Sequence, residues 1–218
     1  MENNYFKEFD NGALMTEKEI FTKIFTHPKE ALQYIQENKF ENYLTIIIFS
    51  LGIFSSLESI LSKNQNVQGE NIVFYVSMAI IFGGLFGWIS FYLIGWLTYF
   101  TGKWMNGKGK TSDFVRVYAY SSLPKLFSIF IVILQIIVYQ YFLNDFSGEK
   151  IMWNFYMILV YSLAVLQLLV WAWIIVLNVI GIAVVQKFSY GKAILNYIAS
   201  IAVIVTPIVL LILILTLL

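Results

Sequence analysis

Few residues in this chain are of a type that performs chemistry, and most of those lie in or beside long apolar runs. Glu58 is the one carboxylate inside such a run. An acid within a membrane segment is by default a candidate for handling an ion or proton. Glu58 also stands three residues from the end of its run. Its side chain can reach water there, or meet a cation such as Lys150. Gln135, Gln167 and Asn178 are amides within other apolar runs. Such groups hydrogen-bond across helices, at about 0.6 kcal/mol each, or line a solute pathway if they converge. Lys125 follows Pro124 at the head of a run, where its ammonium is expected to snorkel to the headgroups. Lys103, Lys108, Lys110 and Arg116 fall within 14 residues, opposed by Asp113 alone. They suit an anionic lipid or an acidic partner, at about 1 kcal/mol per charge near the surface, and they also suit a purely topological role. On the lipid reading, residues 113–123 form a helix along the membrane, with Phe114, Val117 and Tyr118 buried and Arg116 at the headgroups.

Small residues form a second pattern. Ala79, Gly83 and Gly87 recur every four residues, with Gly95 two turns further on. On one helix face this spacing lets two backbones approach closely in lipid. Packing inside one protomer, a dimer interface and a hinge all fit it.

Catalytic sets are missing from the sequence. His27 is the single histidine, cysteine is absent, and no Ser-His-Asp set, paired carboxylates or HExxH run occurs. Gly107 and Gly109 follow no strand and lack the Gly-Lys-Ser/Thr ending of a phosphate loop. The expectation is a protein that is not an enzyme, with no cofactor and no metal site. A net charge of +1 gives no footprint for nucleic acid.

The elements that must position these residues follow from composition. Of the 218 residues, 59% are hydrophobic and 12% charged, against roughly 25% charged in a soluble domain. So few charges cannot cover a water-facing surface, and the surplus apolar area faces lipid. The expected fold is an all-α polytopic membrane helical bundle. Residues 1–41 form a polar N-terminal cytoplasmic segment without the order of a signal peptide. It holds two short amphipathic helices. One opens with Thr16 and Glu19 at capping-box spacing and carries Ile20, Phe21, Ile24 and Phe25. The other has Pro28 in its first turn and Ala31, Leu32, Tyr34 and Ile35 on one side. Both are too short to span and suit the membrane surface or the flank of a bundle. Residues 42–218 form the membrane domain, with five transmembrane helices near 43–61, 72–100, 124–142, 153–185 and 193–217. The six tryptophans, Trp88, Trp96, Trp104, Trp153, Trp171 and Trp173, suit interfacial anchoring.

Five spans place the termini on opposite sides. With the N-terminus inside, 12 of the 14 Lys and Arg residues lie in or flank inner segments, leaving Lys63 and Lys150 outside. The positive-inside rule therefore gives N-in, C-out.

Three stretches carry a resemblance: IFTHPKEALQYI, the glycine-rich GGLFGWISFYLIGWLTYFTG, and GKGKTSDFVRVYAYSSLP. AYSSLP, Ala119 to Pro124, is the most telling part. With five spans, the chain resembles the Yip1 domain family in its compact bacterial form, over about residues 20–218. The resemblance implies a multispanning protein of the bacterial inner (plasma) membrane. Eukaryotic Yip1-type proteins act in vesicle traffic, bind Rab GTPases and associate with one another. The N-terminal segment here is short beside the long tail they carry, so Rab binding is not carried over. The first functional reading is an integral membrane protein that organises membrane or partner proteins. Its partners are the bilayer, anionic lipid, and a homo-oligomer or other membrane proteins. The rival is a small transporter or channel, for which a cavity lined by Gln135, Gln167, Asn178 and Glu58 is the mark.

Overall fold

The computed structural model describes residues 15–63, 71–145 and 150–217. Every element among them is helical. Two short helices, α1 (Glu17–Thr26) and α2 (Pro28–Glu37), precede α3 (Leu44–Lys63). A continuous rod follows: α4 (Asn71–Met78), a π-helical turn (Ala79–Gly83) and α5 (Gly84–Trp104). Next come α6 (Thr111–Ser121), a 3-10 turn (Leu123–Phe127) and α7 (Ser128–Asp145), then α8 (Lys150–Gln186) and α9 (Tyr190–Leu217).

Local chemistry sets the ends of the N-terminal pair. The Glu19 N–H donates to Thr16 Oγ1 at 3.3 Å, and the Thr16 N–H donates back to the Glu19 carboxylate at 2.8 Å. That reciprocal box satisfies two N–H groups the first turn would leave open, and the bond to the Thr16 backbone holds the Glu19 carboxyl below its ordinary pKa. Pro28 opens α2, where a missing N–H costs nothing. Lys23 and Glu30 close the hairpin at 2.5 Å. Ile20, Ile24, Leu32 and Ile35 are fully buried. At roughly 1.5–3 kcal/mol each, their burial stabilises the attachment of this pair by at most about 6–12 kcal/mol. They belong to one apolar core with Ile47, Phe114, Val117, Leu177 and Ile182. The N-terminal pair is therefore packed on the flank of the bundle and shares its core.

Among the described residues, four helical stretches are long and apolar enough to cross a membrane: Val73–Trp104, Thr111–Gln135, Asn154–Gln186 and Tyr190–Thr216. They make this a multi-pass membrane protein. The second of these differs from the expected third span, 124–142. It begins at Thr111 and includes α6, with the break at Pro124 in its middle. Helix α6 is also not a surface helix. Every residue from Phe114 to Ser121 is buried, and the helix packs against α2, α3, α5 and α8. The surface it was expected to share with headgroups is covered by α2 and by the residues leading into α3.

Helices α3 and α5 meet at a seam of glycines. A methyl group added at Gly87 would stand 2.5 Å from the Gly52 Cα, and one at Gly83 would stand 2.7 Å from the Gly52 carbonyl oxygen. Gly95 instead faces α6, with Val115 Cγ2 3.0 Å from the position its Cβ would take. Ala79 is buried at the start of the π turn, which also packs on α3. Within this chain, then, the glycine face is occupied by α3 and α6.

This seam predicts that Gly52→Ala lowers stability by about 1–3 kcal/mol through backbone overpacking. Gly191→Ala, where nothing lies within 4 Å, should be neutral or stabilising. Thermal unfolding of the two variants in detergent measures the difference. Equal melting temperatures would show that the helices do not meet at Gly52.

Candidate functional site

The α6–α7 span is broken where it carries a charge. Pro124 has no N–H to donate, so the chain tightens into the 3-10 turn of Leu123–Phe127. The Ser128 hydroxyl donates to the Lys125 carbonyl at 2.6 Å, capturing an oxygen the break would leave open. Lys125 is turned toward α3 and α8. Its ammonium donates to Ser55 Oγ at 2.7 Å and stands 3.8 Å from the Glu58 carboxylate. It also lies over the rings of Trp171 at 5.1 Å and Phe54 at 5.9 Å. On the far side of the acid, Gln167 Nε2 donates to Glu58 at 3.4 Å. The Lys125 and Glu58 side chains are only 16% and 24% exposed.

Three elements thus build one polar cluster: α3 gives Ser55 and Glu58, the 3-10 turn gives Lys125, and α8 gives Gln167 and Trp171. Glu58 is 14 residues beyond Leu44, roughly 21 Å along its helix at 1.5 Å per residue. The cluster therefore sits toward the far end of α3, away from the lysine-rich loop. An ion pair in an apolar setting loses hydration on both sides; the hydroxyl, the amide and the two aromatic faces recover part of it.

Of the four expected intramembrane polar residues, the structure joins Glu58 and Gln167. Asn178 is buried on α8 and Gln135 is half-buried on α7, and no hydrogen bond among the described residues links either to the cluster. The side chain of Lys150 lies outside the described residues. Ser55 was not singled out from the sequence, and Trp171 was expected there only as one of six interfacial anchors. Ser55 was findable, because it precedes Glu58 by three residues and shares its helix face.

The expected basic set divides. Lys103, Lys108 and Lys110 are exposed, with Lys103 over the Tyr99 ring at 4.7 Å. Arg116 lies inside the protein, not at the headgroups, with its side chain 4% exposed. Its guanidinium donates to Glu41 at 2.6 Å, Asp113 at 3.3 Å and Gln36 at 3.4 Å. That clamp ties α6 to α2 and to the entry of α3. Beside it the Tyr120 hydroxyl donates to the Asn42 carbonyl.

The loop of Lys108 is itself held from below. Gln186 Oε1 accepts the Gly109 N–H at 2.9 Å. The Gln186 amide lies so close under Gly102 and Gly107 that neither position has room for a Cβ. The Thr101 hydroxyl donates to Asn196 Oδ1 at 2.7 Å, and Thr98 and Tyr118 share a hydroxyl bond at 2.7 Å. These contacts lock the loop, α5, α6, α8 and α9 together at one end of the molecule, called here the basic end.

A family model for the Yip1 domain matches residues 22–214, from α1 into the last turns of α9. The chain belongs to the Yip1 domain family. No curated protein and no solved structure matches it.

The cluster predicts non-additive energetics. Lys125→Met alone leaves Glu58 without its cation, and Glu58→Leu alone leaves an unpaired ammonium. Each should cost about 1–3 kcal/mol, below the cost for a fully buried pair because both groups are partly exposed. The double substitution should cost less than the sum by about 1 kcal/mol or more. A double-mutant cycle of melting in detergent measures this. Simple additivity would mean that the two charges do not interact.

Proposed function

We propose that this Yip1 domain protein is a non-enzymatic organiser of the membrane in which it resides, a bacterial inner (plasma) membrane. In this reading α3 is the fifth span. Its 20 residues reach roughly 30 Å at 1.5 Å per residue, enough for the hydrocarbon core. The chain then runs N-in, C-out, with the basic end against the cytoplasmic leaflet, as the distribution of lysines requires. Lys103, Lys108 and Lys110, exposed on the loop, hold that end at an anionic surface.

One observation carries the organising role: α1 and α2 are fixed to the bundle. Four buried aliphatic side chains and the Arg116 clamp hold them, so their outer faces form a rigid polar platform beside the membrane. A rigid surface binds at lower entropic cost than a free tail. The partners are other membrane proteins or a second copy of the chain. A second reading, a small transporter, is favoured by Lys125 and Glu58 meeting at a broken helix, since discontinuous helices with charged groups recur at transport sites.

Topology is testable because the chain has no cysteine of its own. Single cysteines at Asn66 and Ser147 should react with an impermeant thiol reagent added outside intact cells, and one at Asn106 should not. Reaction at position 106 would reverse the orientation.

For function, the protein purified from native membrane in mild detergent should carry a stoichiometric protein partner or self-associate. Arg116→Met should lose that association while tryptophan fluorescence still reports a folded bundle. A monodisperse protein with no companion, combined with solute flux in liposomes that Glu58→Gln abolishes, would overturn the organiser in favour of the transporter.

A further inference from the structure

Between α2 and the α8–α9 turn lies a groove of about 430 Å³, open to the outside at the basic end. Lys29 stands on its α2 wall and Lys187 on its α8–α9 wall. Gln33, Ser189 and Tyr190 add polar groups, and Ala183, Val184 and Phe188 give it an apolar floor. Neither Lys29 nor Lys187 has a carboxylate within ion-pair distance among the described residues. The acid on the rim, Glu37, is engaged by the Gln33 amide at 2.8 Å. A third cation, Lys192, lies over the Phe188 ring at 5.8 Å. Two other cations near α2 are committed elsewhere: Lys23 pairs with Glu30, and Arg116 with Glu41 and Asp113.

Two lysines without ion-pair partners, one on each wall of a groove of this size, complement a phosphate-type anion. The apolar surroundings narrow the choice. Val184 continues up α8 as Ile180 and Val176, one and two turns away on the same face. Tyr190 continues up α9 as Ile194 and Ile198, all three exposed. Both stripes begin at the groove and run into the apolar zone of the bundle. A free phosphate would use the lysines and leave these stripes idle. A phospholipid uses both, with its phosphate between the lysines and its acyl chains along α8 and α9.

We propose that this groove is a binding site for the phosphate headgroup of an anionic phospholipid, held by Lys29 and Lys187. It differs from the diffuse attraction of the Lys103, Lys108 and Lys110 loop, because a groove saturates at one headgroup. It requires no partner protein, so its failure would leave the organiser reading standing.

The test uses the full chain purified in a zwitterionic detergent and measures melting temperature against added short-chain phosphatidylglycerol. Short-chain phosphatidylcholine and inorganic phosphate are the comparison arms. The expected result is a saturable rise with phosphatidylglycerol, and little rise with the other two at equal concentration. Lys29→Gln with Lys187→Gln should weaken the apparent affinity at least fivefold, while Lys29→Arg with Lys187→Arg preserves it. Lys108→Gln with Lys110→Gln should leave the saturable response intact. An equal response to inorganic phosphate would make this a free-anion site and overturn the proposal. An equal response to phosphatidylcholine, or an unchanged affinity in the Lys29→Gln, Lys187→Gln protein, would overturn it as well. If that double variant melts abnormally without lipid, Gln33→Glu tests the same point, because an added carboxylate on the groove wall should weaken phosphatidylglycerol binding alone.

Discussion

The architecture depends on the burial of α6. Buried polar groups need partners, because nothing in an apolar interior replaces the water they lose. Helix α6 carries Arg116, Tyr118, Tyr120 and Ser121 into the core, and each neighbour meets one demand. Helix α5 brings Thr98 to Tyr118, α8 brings the Leu177 carbonyl to Ser121 at 3.4 Å, and the segment entering α3 brings the Asn42 carbonyl to Tyr120. Gln36 of α2 and Glu41 beyond it hold the terminal nitrogens of Arg116, while its buried Nε has no hydrogen-bond partner among the described residues. The N-terminal helices are therefore part of the solution to burying α6. Without them a guanidinium would face an apolar surface.

Helix association follows a second constraint. In lipid, apolar burial gives no net drive between helices, so close contact must come from backbone approach and shared polar bonds. The chain uses the two at different places. Gly52, Gly83 and Gly87 bring α3 and α5 together without side chains. At the basic end, Gly102 and Gly107 leave room for the Gln186 amide to reach the Gly109 N–H. The same residue type serves van der Waals contact in one region and hydrogen bonding in the other, because one seam faces mainly backbone and the other faces an amide.

The charges separate by setting. The loop lysines stay outside, where each gains about 1 kcal/mol near an anionic surface and is screened beyond a Debye length of about 8 Å. Lys125 and Arg116 are drawn inside, each against a carboxylate and at least one neutral polar group. Inside, a charge left unpaired costs several kcal/mol, so these two contacts are more restrictive than any on the surface. The two inward charges accordingly mark two places: the broken helix at Pro124 and the junction of α6 with α2 that Arg116 secures.

The sequence by itself determined the membrane class, the helical content, the capping box at Thr16 and Glu19, and the small-residue face on the second long helix. These are local or compositional properties. Charge density, a four-residue spacing and a cap three residues wide are all complete within one segment. Part of the missed detail was also local: Gly52 and Ser56 repeat the four-residue spacing of Ala79, Gly83 and Gly87, and they form the opposing face, with Ser56 Oγ 2.8 Å from where a Gly83 Cβ would stand. Other features only the tertiary structure decided. Lys125 read as a snorkelling anchor because Pro124 beside it suits a helix start, and Arg116 read as a headgroup contact because a lysine-rich turn precedes it. Each reading weighed only neighbours along the chain. The partners that decide their positions, Ser55 and Glu58 for one and Glu41 and Gln36 for the other, come from distant segments. Apolar helices of similar composition can be juxtaposed in many ways, and the axial register that aligns Glu58 with Lys125 emerges only when α3, the turn at Pro124 and α8 are packed together.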